Sequence, residues 1–91
     1  MRKFMIEREL PGIGSAQRQE LEATAQKSNE TLRELGPDIQ WVESYIAEDK
    51  TYCVYLAEDE ALVRRHAEIS GFPTDRIIEI KTKIDQSAAR E

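Results

Sequence analysis

Chemistry has few places to reside in this sequence: one histidine, His66, one cysteine, Cys53, and the glutamates Glu7, Glu43 and Glu79, which share one expected sheet face. Imidazole is a common transition-metal ligand, so His66 is the candidate metal ligand, with Glu43 as a candidate oxygen donor. Three and four residues from His66 stand Leu62, Val63, Ile69 and Ser70, none of them a conventional ligand. A metal site must therefore be assembled across elements, across two chains or with water. The alternative is a boundary histidine hydrogen-bonded to backbone or to a carboxylate. Cys53 has no CxxC or Cys/His spacing around it; it is either a buried, inert thiol or, as a thiolate, a metal ligand or nucleophile. The glutamates are either solvated or, where two meet near a dimer axis, a divalent-cation site.

The most unusual stretch runs from Ile39 to Ala57, two runs of strand-type residues joined by the polar turn Glu48, Asp49, Lys50. Read with period two, one set of alternate positions is ordinary core material: Val42, Ile46, Val54 and Leu56. The other set, Trp41, Glu43, Tyr45, Cys53 and Tyr55, is aromatic, ionisable and thiol-bearing together. Such a face is too apolar for plain solvent surface and too polar for plain core. No Gly-rich phosphate loop, HExxH or GxSxG pattern accompanies it, since Gly12-Ile13-Gly14 lacks the remaining spacing. The reading therefore favours a non-enzymatic binding protein.

Composition narrows the partners. A formal charge of −5 and a pI near 4.9 oppose nucleic-acid binding, which needs clustered Lys and Arg. Metal cations or neutral and cationic small molecules fit that field better. A single cysteine excludes an internal disulfide and suits a reducing compartment. With no apolar run of signal-peptide or membrane-spanning length, the expected location is the cytoplasm and no membrane partner is expected.

The elements that must position these residues follow from periodicity and from turn residues. Phe4 to Glu9 reads as a strand, ended by Pro11, Gly12 and Gly14. Ser15 is the expected N-cap of a helix whose stripe is Leu21, Ala25, Ser28, Leu32 and Leu35, stopped by Gly36 and Pro37. After the hairpin, Glu58, Asp59 and Glu60 suit the first turn of a second helix, with Leu62, His66 and Ile69 inward and Gly71 and Pro73 at its end. Arg76 to Ile84 reads as the last strand.

The order β, α, β, β, α, β is that of the ferredoxin-like split βαβ unit, an α+β fold with both helices on one face of an antiparallel sheet. Residues 1–85 form the expected single domain and 86–91 a flexible tail. The expected helix-facing set is Phe4, Ile6, Val42, Ile46, Val54, Leu56, Ile78, Ile80 and Ile84. The open face then collects Met5, Glu7, Trp41, Glu43, Tyr45, Cys53, Tyr55, Ile77 and Glu79. Exposed aromatics of that kind predict a homodimer packed sheet against sheet.

Several segments occur here in one order: Phe4-Met5-Ile6-Glu7-Arg8-Glu9-Leu10-Pro11-Gly12, Leu35-Gly36-Pro37, Ile39-Gln40-Trp41-Val42, Ser44-Tyr45, Asp49-Lys50, Tyr52-Cys53-Val54-Tyr55, His66-Ala67 and Gly71-Phe72-Pro73. Together they resemble a family of small bacterial ferredoxin-like proteins, a domain of unknown function that includes a nickel-binding member. The likeness spans roughly residues 3 to 85. It implies a ferredoxin-like homodimer and binding of nickel in sequestration, and it carries over Trp41, Tyr45, Tyr52, Cys53, Tyr55, His66 and Phe72 as matching positions.

Two functions of different class follow. The first is a binding protein for Ni(II) or another divalent transition metal, held through His66 and acidic oxygens. The second is a small-molecule or monooxygenase-like site inside a dimeric α+β barrel, with Trp41, Tyr45, Cys53 and Tyr55 lining the pocket and Glu43 as acid or base.

Overall fold

The computed structural model describes residues 1–88. Strand β1 (Arg2–Glu9) leads through a single 3-10 turn (Ile13–Ser15) into helix α1 (Arg18–Leu35). Strands β2 (Ile39–Ile46) and β3 (Lys50–Ala57) form the hairpin, followed by helix α2 (Glu60–Ser70) and strand β4 (Arg76–Ile80). The four strands make one antiparallel sheet in the order β2-β3-β1-β4, the order of the ferredoxin-like unit. Both helices pack on one side, against a core of Phe4, Ile6, Ile39, Tyr55, Ala57 and Val63.

Local signals explain the element ends. Gly36 and Gly71 close the two helices at positive φ, 88° and 74°, where a side chain would be strained. The Asp59 side chain accepts a hydrogen bond from the Leu62 backbone N–H at 3.0 Å and so caps α2. Ser15 does not cap α1: it sits in the 3-10 turn, and Gln17 takes the N-cap position without a side-chain bond. The last strand is shorter than expected, ending at Ile80, and Ile84 is exposed rather than inward. Residues 86–88 form a 3-10 turn, and 89–91 of the expected flexible tail lie outside the described residues.

Register decides which side chains meet the helices. In β1 and β3, Phe4 stands opposite Tyr55, Ile6 opposite Cys53 and Arg8 opposite Thr51. Directly opposed residues share a face, so Cys53 and Tyr55 lie on the helix side with Phe4 and Ile6, and Met5, Val54 and Leu56 lie on the open side. This corrects the expected assignment, in which β3 had the reverse parity. On β4, Ile77 pairs with Ile6 and Glu79 with Phe4, so these too belong to the helix side, while Ile78 and Ile80 belong to the open side.

Strand β2 changes parity within its own length. Trp41 stands opposite Tyr55, yet Glu43 stands opposite Val54, with the irregularity between them at Val42. This is a β-bulge, two residues on one strand against one on its neighbour. It leaves Trp41, Ser44 and Ile46 on the helix side, and Glu43 and Tyr45 on the open side.

The turn between β2 and β3 also anchors the segment that leads into α1. The Leu10 backbone N–H donates to the Asp49 carbonyl (2.8 Å), Gly12 N–H to the Asp49 side chain (2.8 Å) and Gly14 N–H to the Glu48 carbonyl (2.9 Å). Gly14 passes so close that a Cβ there would stand 2.8 Å from the Ala47 carbonyl oxygen and 2.8 Å from the Glu48 Cα, both backbone atoms. We expect Gly14→Ala to lower unfolding free energy by roughly 1–3 kcal/mol, as overpacking against a backbone that must shift does. A urea unfolding curve for the variant would check this; an unchanged midpoint would show that the two segments separate without cost.

Candidate functional site

Helix α1 does not close fully over the β2 end of the sheet, and a cleft of about 360 Å³ remains there. That volume is within the range of small-molecule sites. Its walls follow from periodicity. Leu21, Thr24, Ala25 and Ser28, at spacings of three, one and three along α1, form one side; Trp41, Ser44 and Ile46 of β2 with Thr51 and Cys53 of β3 form the floor. Leu10 and Ile13 of the anchored segment and Phe72, just past the α2 cap, complete the lining.

Arg8 also lines this cleft, and it is the residue that sequence reasoning passed over. It is 2% exposed, and its three guanidinium nitrogens are buried with no hydrogen-bond partner. Its guanidinium carbon lies 5.5 Å from the centre of the Phe72 ring, a cation–π arrangement. An arginine is permanently charged, and leaving a buried charge without a counter-charge costs several kcal/mol. The available signal was its parity, since Arg8 continues the alternation Phe4, Ile6 into the interior.

Behind Arg8 lies a polar cluster unusual for a core. His66 is fully buried on α2, its ring centre 4.9 Å from that of Tyr55 and tilted by 53°. Its Nε2 lies 3.1 Å from the Ser28 hydroxyl, while Nδ1 has no partner. Burial first, then the positive charge of Arg8, push its pKa down from 6.5 to about 4 against a Ser28 hydrogen bond that favours the charged form. At neutral pH the ring is therefore uncharged. Tyr55 is 2% exposed; burial raises its phenol pKa, with Arg8 and Ser28 pulling the other way. The Cys53 thiol, 9% exposed, lies 3.8 Å from the Thr51 hydroxyl.

The residues singled out in the sequence divide between the two sides of the sheet. Trp41 and Cys53 line the cleft, and Tyr55 and His66 pack beside it. Trp41 Nε1–H donates to the Ser44 hydroxyl at 2.9 Å, a bond across the bulge. Glu43 and Tyr45 lie on the open side, where the Tyr45 hydroxyl donates to the Glu43 carboxylate. Glu7 is there too, paired with Lys50 at 3.1 Å. Glu79 sits at the β4 edge of the helix side; a hydrogen-bonded pair with Arg2 (2.7 and 3.1 Å) holds its carboxyl well below the usual range, at about 2.

The structure thus keeps His66 and Glu43 on opposite faces of the sheet. His66 offers one neutral nitrogen, but the adjacent Arg8 charge opposes a cation. Among the described residues no three His, Cys, Asp or Glu side chains stand close enough to hold an ion. A recess of small-molecule size lies inside one chain, between its sheet and α1.

The depressed histidine pKa has a measurable consequence. Between pH 6.5 and about 4 the unfolded chain binds a proton at His66 that the folded chain does not, so stability is greatest above pH 6.5 and falls as pH drops through this window. From pH 7 to pH 4.5 this contribution amounts to roughly 2–3 kcal/mol. Denaturant unfolding at the two pH values should show that loss in the natural chain and a shallower loss in His66→Gln. Equal slopes would show that the imidazole ionises freely in the folded state.

Residues 4–80 match the model of a family described as nickel responsive protein SCO4226-like. No curated protein matches the chain. Among solved structures it is similar to the crystal structure of SCO4226 from Streptomyces coelicolor A3(2), with a TM-score of 0.75 and 18% identity over 90% of this chain and 99% of that one. At that identity the likeness speaks to the fold. Among the described residues no helix is long and apolar enough to cross a membrane.

Proposed function

We propose, from the premise that this chain belongs to the SCO4226-like family of nickel responsive proteins, that it is a non-enzymatic binding protein for nickel, acting as two chains joined through their open sheet faces. The observation that carries the reading is the composition of that face. Met5, Tyr52, Leu56 and Ile80 are half-buried and Tyr45 and Ile78 are exposed, at 55% and 37%, in a band crossed by Lys3, Glu7, Glu43 and Lys50. An apolar band flanked by both signs of charge is self-complementary: a two-fold copy can cover the apolar residues and oppose Lys to Glu.

Nickel enters this reading as cargo. The buried imidazole stands beside a cation, so the donors offered to Ni(II) are the carboxylates of the open face, Glu43 foremost because it is exposed and free of any lysine or arginine partner among the described ion pairs. A dimer axis near β2 would bring two such carboxylates together. Oxygen donors hold Ni(II) less firmly than imidazoles do, so the expected affinity is modest.

Calorimetric titration of the chelator-stripped protein with Ni(II), beside sedimentation equilibrium at micromolar concentration, tests both halves. Expected are a dimer, a saturable heat retained in His66→Gln, and an affinity lowered roughly fivefold or more in Glu43→Gln, the loss of one charge-assisted ligand. Heat abolished by His66→Gln would overturn the placement of the ion. A monomer without nickel heat would overturn the proposal as a whole.

A further inference from the structure

The cleft on the helix side is separated by the sheet from the face discussed above, and it poses an electrostatic problem of its own. A permanently charged guanidinium stands at its wall, 2% exposed, with all three nitrogens unpartnered. Around it are apolar and hydroxyl side chains: Leu21, Ala25, Trp41 and Ile46, with Ser28 and Thr51. None of the cleft-lining residues carries a negative charge. The second cation of the neighbourhood, the Lys27 ammonium, lies 5.4 Å from the Phe72 ring, which itself packs against Arg8. Positive charge is thus concentrated beside an apolar recess.

The geometry points to this cleft as the binding site of a small organic carboxylate, its charged head paired with Arg8 and its apolar body held between Trp41 and the Leu21–Ala25 wall of α1. A guanidinium offers a carboxylate two parallel N–H donors in a fixed plane, a match no neutral group makes as well. Burial strengthens that pairing, since water competes little for either partner. An inorganic anion would satisfy the charge but leave the rest of the recess empty, so the apolar body is part of the specificity. Phe72, already against the guanidinium and only half-buried, is the side chain that must shift to admit the head group.

Trp41 is the chain's one tryptophan and lines the cleft, so its fluorescence reports occupancy. The probes are octanoate, its neutral isostere octanamide, and inorganic phosphate. Octanoate is expected to shift Trp41 emission saturably, with octanamide about 10- to 100-fold weaker, the range of a charge-assisted hydrogen-bonded pair, and phosphate without effect. In Arg8→Met, which keeps the volume and removes an unpaired buried charge, octanoate and octanamide are expected to bind alike. Equal binding of acid and amide to the natural chain would overturn the proposal, whatever the variant does. So would phosphate competing as well as octanoate, or no response of Trp41 to either organic probe.

Discussion

The pairing of β1 with β3, Phe4 against Tyr55, is the constraint from which the rest of the molecule follows. Side chains alternate faces along a strand, so a slip of one residue would exchange every inward group for an outward one. In the observed register the interior receives Phe4, Ile6, Tyr55 and Ala57, which bury well, and also Arg8, Thr51 and Cys53, which raise polar obligations. Apolar contact with Val63, Leu32 and Leu35 of the two helices fixes the arrangement. The charge at the cleft is then a consequence of parity: β1 cannot place Phe4 and Ile6 inside and Arg8 outside without breaking its alternation.

The polar cluster behind Arg8 is organised around that charge. A neighbouring cation and a dry environment act on His66 in the same direction and keep its imidazole neutral. A protonated His66 would place two unneutralised charges in one core. Ser28 mediates from α1, near enough to His66 for a hydrogen bond, so a helix, the central strand and the second helix meet through hydroxyl, phenol and imidazole rather than through hydrocarbon alone. Satisfied networks of this kind fix a single arrangement of elements, and incomplete ones concentrate the free-energy cost where a group is left over. Here the groups left over are the Arg8 guanidinium and the Nδ1 of His66.

The order of elements was legible because it rests on strong local signals. Gly36 and Gly71 stop the helices, Asp59 caps the second, and alternation in Phe4 to Glu9 admits one sensible inside. The faces of the hairpin were not legible by the same means. Val54 and Leu56 are more apolar than Cys53 and Tyr55, so hydrophobicity favours the parity that the fold does not adopt; only the pairing with β1 decides it. The bulge at Val42 carries no glycine or proline to announce it, and it divides Trp41 from Glu43 and Tyr45, which simple alternation had kept together. His66 was recognised as inward, but its isolation from Glu43 depends on that same hidden parity. Arg8 lay in plain alternation with Phe4 and Ile6, and the identity of an arginine argued for the surface more loudly than its position argued for the core.

The bulge on β2 bears on how this molecule can change. Unbroken alternation from Ile39 and Trp41 would carry Glu43 to the helix side, where a carboxylate would stand on the floor of the recess that Arg8 borders. The bulge at Val42 keeps that carboxylate on the far side and seats the Ser44 hydroxyl beside Trp41 in its place. The polarity of the recess thus depends on where the backbone takes up one residue outside the ladder, and not on the identity of any wall residue alone. A residue absorbed in this way leaves every later side chain on the face it would hold in a regular strand one residue shorter, so β2 can carry the extra residue without altering the walls of the recess.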